Sequence, residues 1–158
     1  MYKRQTLALS GCGAQQAGAA AIVNDTVISD QDVQTVSGQL NSISPDGQKM
    51  TASDALLILI VAPYVFAEAE RLHKTASADD ARKAVPGLAD PSPATIEFLR
   101  MNDALSQLDQ ASRDSVLKKL GKAKITVNPR YGTFVANPPA LNPSLPNWIK
   151  PSATSPAS

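Results

Sequence analysis

The chain has one cysteine, Cys12, and one histidine, His73. A lone cysteine excludes an internal disulfide. With so few soft ligands, a zinc centre has nothing to form from. Aromatic residues make up only 4% of the 158 residues, too few for a base-stacking platform. The formal net charge is +1, so there is no electrostatic basis for nucleic-acid binding. No internal repeat is present. The longest uncharged apolar run is Ala55 to Ala67, bracketed by Asp54 and Glu68. It falls short of the ~20 residues that a helix needs to cross a bilayer, so it reads as a buried core helix. No Gly-rich phosphate loop and no paired acid and base stand out, so no catalysis, cofactor or metal is expected.

What is present begins at the N-terminus. Lys3 and Arg4 precede Leu9-Ser10-Gly11-Cys12. The four-residue stretch resembles a bacterial lipobox, in which a signal peptidase recognises Leu9, Ser10 and Gly11 and cuts before a lipid-modified cysteine. Small residues suit a narrow protease site, and Lys3 and Arg4 follow the positive-inside bias. The resemblance implies a signal peptide at 1–11, diacylglycerol on the Cys12 thiol, and attachment to the outer face of the cell membrane. Only Thr6 to Leu9 separates charges from box, whereas a secretory apolar core needs about seven to fifteen residues. The precursor is therefore expected to start upstream of Met1. Residues 12–19, rich in Ala, Gln and Gly, read as a flexible tether.

Beyond the tether the pattern is that of one small, mostly helical domain over 20–134. Ala21-Ile22-Val23 and Thr26-Val27-Ile28 read as a hairpin turning at Asn24-Asp25, residue types that tolerate positive φ. Ser29 and Asp32 form a capping-box-like pair. Val33, Val36, Leu40 and Ile43 then make one apolar stripe of a helix from about Asp30 to Asn41. Ser53 is expected to cap a longer helix, Asp54 to Lys74. Its Leu56–Val61 half is apolar on all sides and must be surrounded. Its second half is amphipathic, with Glu68, Glu70 and Arg71 on the polar side. Pro63 is expected to kink or divide this helix. Further helices follow from Ser77 to Val85, from Thr95 to Leu108 and from Asp109 or Gln110 to Gly121. Lys124–Val127 reads as a late strand that joins the early hairpin, since an isolated hairpin is marginal in water. Asn128–Gly132 ends it. Residues 135–158 hold recurrent prolines and read as an extended or disordered tail.

Two groups of side chains are weighed for function. His73 lies beside Arg71 and Lys74 near a helix end, where a cation suits the dipole, and reads as a solvated surface residue, while Asp79 and Asp80 read as first-turn anions. Tyr131 is a candidate ligand contact, but more simply a residue packed on the core. Trp148 is a large apolar side chain in a Pro-rich tail; it either docks back into a groove of its own domain, as a client peptide would, or lies in a disordered segment.

The stretch Ala21-Ile22-Val23-Asn24-Asp25-Thr26-Val27-Ile28-Ser29-Asp30-Gln31-Asp32-Val33 resembles the opening of SurA N-terminal domains, "a-V-N-g-x-x-I-t-x-x-d-V", with Asp25 where the family usually has Gly. Ser77-Ala78-Asp79-Asp80-Ala81 resembles that family's second capping motif. Asn128-Pro129-Arg130-Tyr131-Gly132 resembles the closing motif of actinobacterial lipoproteins that carry this domain without a parvulin domain. The resemblance covers roughly 20–134. It implies a helical chaperone-type domain with a small antiparallel β element, binding unfolded or partly folded exported polypeptides without catalysis. The alternatives are a structural adaptor for one protein of an envelope complex and a remnant of a peptidyl-prolyl isomerase. Isomerase activity is not expected, because the residues after Gly132 do not suffice for a parvulin domain.

Overall fold

The computed structural model describes residues 18–143, apart from Asp46 and Ala76. Leu9, Ser10, Gly11, Cys12 and Trp148 lie outside the described residues. Strands β1 (Ala19–Val23) and β2 (Thr26–Ser29) form the antiparallel hairpin that the sequence suggests. Asn24 takes φ +54°, the left-handed conformation that Asn enters more readily than most residues. Its side chain fixes the turn in two directions: Nδ2 donates to the Tyr64 hydroxyl at 3.2 Å and Oδ1 accepts from the Lys124 amide at 3.2 Å.

The chain then runs helically through α1 (Asp30–Ile43), α2 (Ala52–Arg71), α3 (Ala78–Ala84), α4 (Pro93–Gln107) and α5 (Gln110–Leu120). Each starts at a side-chain oxygen that accepts a first-turn amide: Ser29, Thr51, Ser77, Ser92 and Asp109. Such a cap is worth about 1 kcal/mol over alanine. The cap of α2 is Thr51 rather than the expected Ser53. Asp54 returns a bond to the Thr51 amide at 3.1 Å and completes a reciprocal box that Ser53 has no residue to complete.

Strand β3 (Ile125–Val127) pairs antiparallel with β1, giving the order β2-β1-β3 and joining the two ends of the domain. A 3-10 turn at Pro129–Tyr131 follows. The fold is thus mostly helical with small antiparallel sheets. One of these was not expected: β4 (Thr133–Ala136) and β5 (Pro139–Asn142) form a second hairpin, and the boundary expected at 134 falls inside it. Its prolines cost no ladder bonds. Pro138 sits in the turn and Pro139 opens its strand, positions at which a missing N–H is tolerated.

Helix α2 is the axis. Leu56 and Ile60 are fully buried against Val33, Val36, Phe98 and Leu120, and Val65 and Ala69 against Met101, Ala104 and Val116. Burying one such aliphatic side chain stabilises by about 1.5–3 kcal/mol. Pro63 does not divide the helix, which continues unbroken to Arg71 because both of its halves are packed. By length and composition α2 is also long and apolar enough to cross a membrane; here α1, α4 and α5 pack around it. Two positions depart from the expected stripes. Ile43, at the C-terminal end of α1, stays 37% exposed, with Gly87 beside it. Glu68, assigned to the polar face, is only 1% exposed.

Candidate functional site

The apolar-all-round half of α2 is not fully surrounded. At 100° per residue, Leu56, Leu59 and Ile60 turn inward while Leu57, Ile58 and Val61 share another side. Those three are only half-buried. They form one wall of a groove of about 390 Å³, completed by Met101 and Leu105 of α4, Val116 and Leu117 of α5, and Pro139 of β5. Gln110 and Arg113 stand at its rim. The Arg113 charge is committed elsewhere: Nε donates to the Leu108 carbonyl at 3.1 Å and Nη2 to the Leu105 carbonyl at 3.2 Å, closing the C-terminal end of α4. The groove is therefore a concave apolar surface with its cation turned to backbone. Chemically it does one thing, which is to take apolar side chains out of water.

Further along α2 is the charged group that the sequence reading placed on the surface. Glu68 Oε1 accepts from Arg71 Nη2 at 2.6 Å and Nε at 3.1 Å. Its Oε2 accepts from Lys119 Nζ at 2.8 Å and Ser115 Oγ at 3.2 Å. These hydrogen bonds to Arg71 and Lys119 outweigh the cost of desolvation and hold the carboxyl down to about 2. Glu68 thus ties the C-terminal end of α2 to α5. A sequence signal existed: Ser115 and Lys119 lie one turn apart, next to the inward Val116 and Leu120.

Of the candidate residues, Tyr131 takes the packing role. It is 6% exposed and does not line the groove. Its hydroxyl donates to the Asp30 carboxylate and accepts from Gln34 Nε2 at 3.2 Å. Arg130 pairs with Asp30 at 2.9 Å and lies 5.0 Å from the Tyr131 ring centre. Burial and the Asp30 bond raise the phenol above its ordinary value. This latch fastens the chain after β3 to the start of α1. His73 is exposed, just past the end of α2, at φ +55°. Asp79 and Asp80 sit in the first turn of α3 and pair with Arg82 at 3.0 Å and Lys83 at 3.7 Å. Among the described residues no cluster of His, Cys, Asp and Glu is placed to hold a metal.

No protein-family model, no curated protein and no solved structure matches the chain.

Proposed function

We propose that the chain is a membrane lipoprotein, anchored through Cys12 on the outer face of the cell membrane, whose helical domain holds unfolded or partly folded exported polypeptides. The observation that carries this reading is the groove: an all-round apolar helix leaves Leu57, Ile58 and Val61 half-buried between α4 and α5. An apolar surface that the fold could have covered and does not is a docking surface for other apolar chains. The likeness of 20–134 to SurA N-terminal domains and the lipobox-like Leu9-Ser10-Gly11-Cys12 support the same reading from the sequence side. Binding proceeds by burial alone, so clients are released as their own cores form.

The test is suppression of aggregation of reduced, urea-diluted α-lactalbumin by the full chain carrying Cys12→Ser. Light scattering is expected to fall as the protein approaches stoichiometry with the client. Leu57→Lys, which puts a charge on a half-buried groove position that is not packed on the core, is expected to raise the half-maximal concentration at least about fivefold with little change in the melting curve. Scattering that is unaffected by the protein would remove the reading. Capture of a single stoichiometric envelope protein would favour the adaptor instead.

A further inference from the structure

A second cleft, of about 330 Å³, opens on the side of α2 turned away from the groove. One of its walls is strand β2. The hydrogen bonds between β1 and β3 fix which groups of β2 are free. The Asn24 amide donates to the Lys124 carbonyl at 2.7 Å and the Asn128 amide to the Ala20 carbonyl at 2.9 Å, with Ile22 opposite Thr126. Ala20, Ile22 and Asn24 therefore address β3, and Ala21 and Val23 address β2. Val23 faces Thr26 and Ala21 faces Ile28. Val27, between them, turns its N–H and C=O to the outer edge, where no described strand pairs with it. Its side chain is 48% exposed.

The opposite wall also carries a backbone acceptor. Pro63 brings no N–H to the Leu59 carbonyl, which would otherwise bond four residues along the helix. Leu59 and Pro63 both line the cleft, with Ala67 and Ala94 beside them. At the rim stand two carboxylates, Asp32 from α1 and Glu97 from α4. Desolvation pushes Glu97 above its ordinary value; Arg100 opposes this and the Asp32 charge adds to it. The two acids thus repel each other at the mouth of an apolar cleft, and a bound cation relieves them.

We infer that this cleft binds an extended peptide strand that carries apolar residues and one lysine or arginine at every second position, so that the apolar groups and the cation share the face turned to the cleft. The peptide adds to the β2 edge at Val27, sends its apolar side chains toward Leu59 and Ala94, and sets its cation between Asp32 and Glu97. An added strand opposite Val27 projects its flanking side chains to the face of Thr26 and Ile28, which is the cleft face. The Leu59 carbonyl is a further acceptor for donors of the bound segment. The site differs from the groove in being selective for charge. A chain could occupy the groove with any apolar segment, but this cleft admits one sign only.

The experiment is fluorescence anisotropy with the full chain carrying Cys12→Ser and two short fluorescein-labelled peptides with threonine at every second position and valine at the others, except that one of those others is lysine in the first peptide and glutamate in the second. The lysine peptide is expected to bind at least about tenfold tighter, with the difference shrinking as salt rises. Glu97→Gln is expected to weaken it several-fold. Pro63→Ala, which supplies an N–H to the Leu59 carbonyl, is expected to weaken binding while raising the melting temperature, a pairing that a purely structural role would not produce. Saturating peptide is expected to slow hydrogen exchange at the Val27 amide. Leu57→Lys, at a groove position not packed on the core, leaves this binding unchanged if the cleft is the site; if Leu57→Lys abolishes it with an unchanged melting curve, the peptide occupies the groove, the cleft assignment fails and the groove reading stands. Equal affinity for the two peptides, or full affinity in Glu97→Gln, would overturn the inference.

Discussion

Glu68 carries a charge into the interior because donors from two helices converge on it. Arg71 comes from its own helix, and Lys119 and Ser115 come from α5. The charges around it are these two cations, with Asp109 acting on Arg71. The sign of the pH dependence follows. The carboxyl sits at about 2 in the folded chain against an ordinary 4.5, so its contribution is fully present above pH 4.5 and is lost as the pH falls through about 2. Asp80 and Asp109 are also held low, by Ser77 and Ser112 respectively, and act in the same acid range, so only a comparison of variants isolates Glu68. Glu68→Gln is expected to lower the melting temperature at neutral pH and to flatten its decline between pH 4.5 and 2, as followed by circular dichroism. A decline parallel to that of the parent would show that the carboxylate is not ionised in the fold. Residue roles that depend on neighbours in sequence, such as the Ser29 and Ser77 caps, were legible in the chain. The burial of Glu68 was not, because its partner Lys119 arrives only when α5 docks.

The elements divide along the same line. The helices were readable from their 3.6-residue stripes, and the hairpin from its β-rich runs flanking Asn24-Asp25. Helix α2 illustrates where such reading ends: periodicity says that Leu56–Val61 is apolar on every side, but only packing decides that Leu57, Ile58 and Val61 are the side left uncovered. The β4–β5 hairpin was hidden by its prolines, which in composition resemble a tail. What makes it possible is Gly132, at φ +110°, where the chain leaves the 3-10 turn. A Cβ at that position would collide with the carbonyl of Asn142 at the end of β5. The Gly132→Ala variant therefore meets both backbone strain, worth about 1–3 kcal/mol, and a steric block to hairpin closure. It is expected to lose hydrogen-exchange protection in β4 and β5 and to expose Phe134 and Leu141, which pack on the core, while the helical dichroism is largely kept. Wild-type protection in both strands of the variant would show that the hairpin does not depend on this close approach.

Across the whole molecule, β1 is the strand on which the two ends of the domain close, and it is also the element nearest the lipobox-like cysteine. From Cys12 to Ala19 the chain spans about 25 Å at most when fully extended. A lipid on Cys12 would therefore hold the domain within that distance of the membrane surface. Direction matters as well as distance. β1 begins at Ala19, beside Ser29, and ends at Val23, which lines the β2-edge cleft. The cleft runs along β2 from Val23 and Thr26, at the end of the strand away from the tether, to Ile28 and Asp32, near the end where the tether joins. Sequence alone pointed to the tether and to the joining of hairpin and late strand, but this polarity required the register of β1 with both of its neighbours. If the anchor is real, intact mass of the protein extracted from the membrane fraction will exceed that of the chain beginning at Cys12 by a diacylglycerol and its acyl additions. Cys12→Ser will move the protein to the soluble fraction with an uncleaved N-terminus, and that mass will also report any residues upstream of Met1. Because Cys12 lies outside the domain, the soluble form is expected to retain aggregation suppression and lysine-peptide binding in full. An unmodified Cys12 in membrane-associated protein would mean that something other than a thioether lipid holds it there.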